Sequence, residues 1–424
     1  MPLTRSAPML RVSLPGSEGG HVKGTPAYRR LTLAMLFAGF STFSLLYSVQ
    51  PLLPEFARDF RLSAEGASLA VSLATGPLAV AILFAGLVSD RIGRRPIMVW
   101  AMYAAGVLTL ATAIAPGWGA ILALRLLTGL ALAGVPAVAM AYVSEEVDAG
   151  SVGSAMGLYI GGSAIGGMAG RLGVSLVTDV AGWHWALAVD GALAIAMAEG
   201  FRRLAPPSRA FVAQRGSIAA LARGAAGVFR DAALPLLYAE AFLLMGVFVT
   251  VYNYAAFRLM ASPYGLGQAE VGAIFLLYIL GSISSAWFGG LAGRIGRRRV
   301  FWLPIVLLIV GVGATDLASL WLIVAGIALV TIGFFGAHSI ASAWVGRRAA
   351  ANRGQASALY LFFYYLGSSV LGSAGGIAWT RGGWSGVAGF CAILVAASLA
   401  IAARLAMVRP LATPDPPHLG EITG

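Results

Sequence analysis

Charged side chains are scarce in this sequence: Asp, Glu, Lys and Arg make up 11% of its 424 residues, against roughly 25% in an ordinary soluble domain. That deficit excludes a soluble globular protein. Cysteine is nearly absent. Cys391 is the single one and lies in an apolar run, so no intrachain disulfide forms and no cysteine-based metal site can be built. The nucleotide-binding pattern G-x-x-x-x-G-K-[ST] does not occur, which argues against ATP as an energy source within this chain. With four histidines and glycine-rich stretches that sit inside apolar runs, no catalytic constellation, metal site or cofactor site is expected. Residues 1–27 have no apolar core flanked by a small-residue cleavage site and read as a cytoplasmic tail rather than a signal peptide.

What the chain has instead is apolar surface: 59% of its residues are hydrophobic and the mean hydropathy is +0.83. A bilayer needs runs of roughly 20 apolar residues per helical span. Such runs appear at 31–53, 66–88, 96–115, 118–143, 152–178, 183–201, 233–258, 269–292, 300–315, 317–345, 355–378 and 383–404, numbered below as spans 1 to 12. The expected fold is an all-α integral membrane protein of twelve transmembrane helices in two pseudo-symmetric six-helix bundles. The one long polar connection, Phe201 to Asp231, divides them. The expected organisation is a tail at 1–30, a bundle at 31–201, a central loop at 202–232, a second bundle at 233–404 and a tail at 405–424.

The net charge of +12 suggests nucleic acid only until its distribution is read. With the N-terminus inside, the loops on the outer side hold only Arg58, Arg61, Arg258 and Arg381. Arg125 and Arg171 lie within spans, and every other Lys and Arg falls on the inner side. This bias places both termini in the cytoplasm of a bacterial cell, with the chain in the inner membrane. It explains the basic balance as membrane orientation and attraction to anionic lipid rather than nucleic-acid binding.

One charged segment occurs twice. "GLVSDRIGRR" spans Gly86 to Arg95, and "GGLAGRIGRR" spans Gly289 to Arg298, 203 residues later, with Gly293 where Asp90 stood. "VGSAMGLYIGGSAIGG" of span 5 and "RGQASALYLFFYYLGSS" of span 11 align at Gly153/Gly354, Leu158/Leu359, Tyr159/Tyr360 and Gly166/Gly367. Two parallel six-span halves with a substrate site between them near the midplane is a plan of secondary transporters.

On these residues the chain resembles the major facilitator superfamily over essentially its whole length. "GLVSDRIGRR" is similar to the family's loop 2/3 signature G-x-x-x-D-R-x-G-R-R, and "GGLAGRIGRR" to the degenerate copy in loop 8/9. "RLLTGLALAG", from Arg125, is similar to the span 4 motif with an intramembrane Arg. "YSVQPLLPEF" and "SEEVDAGSVGSAMGLYIGGSAIGGMAGR" resemble the bacterial sugar-efflux and drug-proton antiporter branch, its YnfM-like members in particular. One departure stands out: the antiporter signature of span 5 usually contains a Gly-Pro pair, absent here, and the stretch ends in Arg171. The resemblance implies that Gly86, Asp90, Arg91, Gly93, Arg94, Arg95, Gly289, Arg294, Gly296, Arg297 and Arg298 form the conformational latch. Gly86 would allow close helix packing and Asp90 would face the start of span 11 around Asn352 to Gln355. Glu145, Glu146 and Asp148 of loop 4/5 would answer the basic cluster of loop 8/9.

Ionisable residues inside spans cost several kcal/mol unless paired or hydrated, roughly 2.5 to 3.5 on insertion scales. Arg125 lies about seven residues, or roughly 10 Å, from the outer end of span 4. It serves either substrate binding and proton gating or a structural tie to a neighbouring carbonyl. Arg171 stands near the outer end of span 5, where it can snorkel, and with Tyr47 and Gln50 of span 1 makes an outer polar cluster. Asp190 in span 6 reads as a local hydrogen-bonding group, and Glu199 as a solvated helix end. Glu240 in span 7 and His338 in span 10 share an inner depth, and a Glu/His pair there would carry a proton near neutral pH. Tyr252 and Asn253 are candidate substrate contacts. Gly157, Gly161, Gly162, Gly166 and Gly170 form G-x-x-x-G rows for close helix packing, expected against span 8.

The function expected is proton-coupled efflux of a small organic molecule, sugar-like or drug-like, by alternating access. Proton-coupled uptake and a non-transporting membrane sensor or scaffold are the alternatives. The partners expected are a small-molecule substrate, protons and the lipid bilayer, with no nucleic acid and a monomeric working unit. The chain is not expected to be an enzyme.

Overall fold

A chain crossing hydrocarbon has no water to satisfy its N–H and C=O groups, so each apolar run must close its own hydrogen bonds as a helix. The computed structural model describes residues 20–208, 211, 217–349 and 352–408, and within them the runs are helical. Span 1 is Pro26–Tyr47, continued by a 3-10 turn at Gln50–Leu52 and a short helix at Leu53–Asp59. Spans 2 and 3 are Ala64–Ile92 and Arg94–Ala113. Span 4 is broken into Trp118–Leu132 and Pro136–Glu146. Spans 5, 6 and 7 are Val152–Ala181, Trp183–Leu204 and Leu234–Met260. Span 8 runs from Gln268 to Ile295 through a 3-10 turn, and span 9 covers Arg297–Val300 and Trp302–Thr315. Span 10 is Leu320–Arg348, and Arg353–Met407 holds spans 11 and 12, folded at Gly382 and Gly383. Ten of these stretches are long and apolar enough to cross a membrane. One of them carries two passes, and Trp183–Leu204, with His184, Asp190 and Glu199 inside it, is a less apolar passage.

Local chemistry sets the ends. Thr25 accepts from the Tyr28 amide ahead of Pro26, and Ser63 accepts from Gly66, each filling an orphan donor of a first turn. Asp231 caps span 7, accepting from Ala233 and Leu234 at 2.8 and 3.0 Å. Its carboxyl is partly buried, which opposes ionisation, yet the Arg348 guanidinium and those two amides hold it below its ordinary range. The hinge glycines Gly93 and Gly296 take φ of 108° and 99° between consecutive spans. L side chains resist that conformation, so the repeated Gly of "RIGRR" is a backbone requirement in both copies.

The repeat is also visible in packing. A Cβ on Gly166 would lie 2.2 Å from the Phe40 carbonyl oxygen, and one on Gly367 would lie 2.1 Å from that of Phe242. Span 5 thus rests on span 1 as span 11 rests on span 7. Gly162 and Gly170 meet Leu36 and Ser44 of the same span 1. This corrects the expectation that the row faces span 8. Gly157 and Gly161 meet nothing within 4 Å, nor does Gly86, which was expected at a close helix contact. The small-residue contact with span 8 is made instead by Ser175, 2.3 Å from where a Cβ on Gly272 would sit. One element was not anticipated: the central connection contains a helix, Ile218–Val228.

Candidate functional site

The two ends of the bundle differ. The end bearing both "RIGRR" hinges is called the basic end here, and the other the distal end. At the distal end, span 1 stops at Tyr47 because Pro51 has no N–H to donate. Carbonyls freed there need other donors, and Arg125, 1% exposed, supplies them. Its guanidinium donates to the carbonyls of Leu45 (3.0 Å), Leu46 (2.6 Å) and, from span 2, Ala70 (3.0 Å). Of the two roles left open for Arg125, this geometry is the structural tie. Asp190 reaches the same segment, accepting from Ser44 at 2.5 Å, with Oδ2 lacking a partner.

Beyond that tie the halves close on one another. Arg171 is 3% exposed and does not snorkel. It donates to Gln50 Oε1 at 2.7 Å and to the Gly167 carbonyl. Its guanidinium carbon lies 4.5, 5.4 and 5.1 Å from the ring centres of Tyr47, Phe275 and Tyr278, one ring from its own half and two from the other. Gln50 in turn donates to Asn253 at 2.7 Å. These two residues are 203 positions apart, within a residue or two of the repeat interval, so nearly equivalent points of spans 1 and 7 meet each other where the halves join. Tyr47 hydrogen-bonds Ser368 at 3.3 Å, and Gln268 donates to the Pro51 carbonyl at 2.8 Å. Tyr47, Gln50, Arg171 and Asn253, named from the sequence as candidates, thus form one closed polar cluster between the halves, with the geometry of a shut gate. Tyr252 is its neighbour, bonded to Thr331 at 2.7 Å and stacked on Phe275. Phe275, Tyr278, Ser368 and Gln268 were missed, because only the fold brings them to spans 1 and 5.

At the basic end the halves stand apart around a cavity of about 980 Å³. Asp90 and Arg94 line one side, Arg353, Gly354 and Gln355 another, and the Ile218–Val228 helix contributes Leu221 and Ala225. Asp90 is bonded to Arg94 at 2.5 Å rather than to the start of span 11. Arg94 is shared with Glu145 at 2.9 Å, and the Glu146 carbonyl accepts from the His21 amide at 2.8 Å. The expected answer of Glu145 to loop 8/9 is therefore not made among the described residues; its carboxylate turns to Arg94 of its own half. Arg95 caps span 6 through the carbonyls of Ala205 and Arg202. Glu199 is bonded by Arg202, Arg203 and Tyr103 at that helix end.

Glu240 and His338 do not pair. Glu240, 0% exposed, accepts from Ser398 of span 12, and its Oε1 has no partner. His338 Nδ1 instead meets the Tyr360 hydroxyl at 3.0 Å, and its ring stacks on Phe334. The separation follows from side-chain direction: a shared depth on two helices does not fix a shared face.

A helical bundle of repeated halves, sealed at one membrane face and open at the other, with polar groups buried between the halves, is a membrane transporter. Comparison with known proteins gives the same class. The model of the Major Facilitator Superfamily matches residues 33–259 and 241–423. The chain is 43% identical over 393 residues to the uncharacterized MFS-type transporter YybF of Bacillus subtilis (strain 168), covering 93% of this chain and 97% of that one. It is 45% identical over 388 residues to the inner membrane transport protein YnfM of Escherichia coli (strain K12), covering 90% and 92%. In fold it is similar to a bacterial homolog of the human lysosomal transporter Spinster in an inward-facing, occupied conformation, with a TM-score of 0.72 at 14% identity over 91% of this chain and 96% of that one. The chain belongs to the Major Facilitator Superfamily, whose members are transporters and not enzymes.

Proposed function

We propose that this transporter exports a small organic molecule, sugar-like or drug-like, in exchange for protons. It would act as a monomer in a bacterial inner membrane, with its basic end in the cytoplasm. The distribution of Lys and Arg supports that orientation, and the 45% identity to an inner membrane transport protein supports the location. The cavity at the basic end is then where cytoplasmic substrate enters.

The observation that carries proton coupling is the setting of Glu240. An ionised carboxylate with one bare oxygen and no basic partner among the described residues is costly inside a membrane, and a bound proton removes that cost. Span 7 also carries Asn253 of the gate, about 20 Å further along the same helix at 1.5 Å per residue. A change of charge at Glu240 alters packing against span 12 and is transmitted along one rigid element to the gate. Glu240→Gln fixes the neutral form. In vesicles of defined orientation with an imposed pH gradient, it is expected to abolish gradient-driven accumulation of substrate while leaving exchange at equal pH. Gradient-driven transport with unchanged pH dependence overturns the role of Glu240.

A further inference from the structure

In the first hinge Arg94 is held between two carboxylates, Asp90 at 2.5 Å and Glu145 at 2.9 Å. The second hinge keeps the base and loses both acids. At the same interval Arg297 stands for Arg94 and Gly293 for Asp90, and one residue short of it, where loop 4/5 carries Glu145 and Glu146, loop 10/11 carries Arg347 and Arg348. Arg297, Arg298 and Arg347 line a pocket of about 400 Å³ formed by the ends of spans 8, 9 and 10. Among the described residues none of the three makes an ion pair, and no carboxylate lines the pocket. Asp231, the acid at this end of the second half, is bonded by Arg348 at 2.7 Å. Guanidinium groups gathered in this way repel one another unless an anion lies among them. Their planar forks match the oxygens of a phosphate.

We propose that this pocket binds a phosphate group, which does for Arg297 what Asp90 and Glu145 do for Arg94. The phosphate can be borne by an anionic lipid or come as the free ion. The apolar wall of Ala292, Ile295 and Trp344 beside the arginines, at the ends of membrane helices, suits a lipid headgroup with its glycerol and upper chains. The missing acid of the second hinge is then the room the ligand needs: a Cβ on Gly293 would meet nothing within 4 Å, so the position is open to the pocket rather than closed by packing.

The test is thermal unfolding of the purified full chain in neutral detergent, titrated separately with phosphatidylglycerol, phosphatidylcholine and inorganic phosphate. Phosphatidylglycerol is expected to raise the unfolding midpoint, and phosphatidylcholine to leave it unchanged. A rise with inorganic phosphate equal to that with phosphatidylglycerol assigns the site to the free ion, and a rise with the lipid alone assigns it to the headgroup. In Arg297→Gln/Arg298→Gln the apparent affinity should fall at least about tenfold, as on loss of a charge-assisted hydrogen bond. Gly293→Asp serves where the double variant does not fold: it restores the acid of the first hinge, competes with the phosphate and lowers the affinity similarly. Equal effects of phosphatidylglycerol and phosphatidylcholine without any from phosphate overturn the proposal. So does an affinity for the anion that survives the variants unchanged.

Discussion

Asp90 and Gly293 occupy the same step of two hinges, each followed by the same RIGRR and preceded four residues earlier by a glycine. Both hinges place a glycine at positive φ, Gly93 at 108° and Gly296 at 99°, and both continue directly into a new helix. Only the first clamps its arginine with carboxylates. The glycine is kept because any turn from one span into the next in this geometry demands it. The acid is kept in one half only, so it answers to something that the fold itself does not require. The same division runs through the whole repeat. Gly166 and Gly367, which hold helices at backbone contact, are matched, whereas the buried charges are not: Glu55, Arg125, Glu146, Arg171 and Asp190 lie in the first half and, among the described residues, Glu240 in the second.

The largest effect is expected at the matched positions. Gly166→Ala and Gly367→Ala each drive a methyl group to within 2.2 and 2.1 Å of a carbonyl oxygen, a backbone atom that cannot rotate away. Each should destabilise the protein by about 3 kcal/mol, the upper range for overpacking, while Gly157→Ala, with open space around it, should stay within about 0.5 kcal/mol of wild type. Unfolding midpoints in one detergent measure all three. A large cost at one of the pair and none at the other would mean that the halves are not packed alike. Next comes Asp90→Asn, expected to leave insertion and folding intact and to slow transport at least about tenfold, within the usual range of coupling between conformational states. The expectation rests on the latch closing when the basic end shuts and Asp90 comes to the start of span 11, around Asn352 to Gln355, near the positive end of its dipole. Transport at the wild-type rate would reduce Asp90 to a local partner of Arg94.

Much of this was legible in the sequence because it depends on periodicity and composition. Apolar runs mark the spans, and the doubled hinge, with Gly166/Gly367, marks the repeat. The site was legible only as a set of names. Tyr47, Gln50, Arg171 and Asn253 were singled out by residue type and depth, but their convergence depends on how two bundles tilt together, which no local pattern encodes. Arg171 near a helix end reads as a snorkelling residue until rings from the other half are seen around it. Glu240 and His338 share a depth, yet helix rotation turns one toward Ser398 and the other toward Tyr360. The break after Tyr47 falls inside an apolar run that reads as unbroken from 31 to 53, and Arg125 as the donor to its carbonyls was readable only as one of two roles.

The smallest effect separates the two acids that hold Arg94. Glu145 is 28% exposed and joins Arg94 across loops, whereas Asp90 is its i,i+4 neighbour on the chain. Glu145→Gln removes the charge and keeps an oxygen that can accept from Arg94, which retains Asp90 and a 2.5 Å bond to Ser89. A partly exposed pair of this kind contributes at most about 1 kcal/mol, so transport should fall no more than about fivefold, and the unfolding midpoint should move little. The double variant with Asp90→Asn then distinguishes two accounts of the first hinge. If the clamp on Arg94 is what matters, either substitution alone should cost as much as both together. If Asp90 acts through span 11 when the basic end closes, the costs should add, and Glu145 is a support for the arginine rather than a part of the latch.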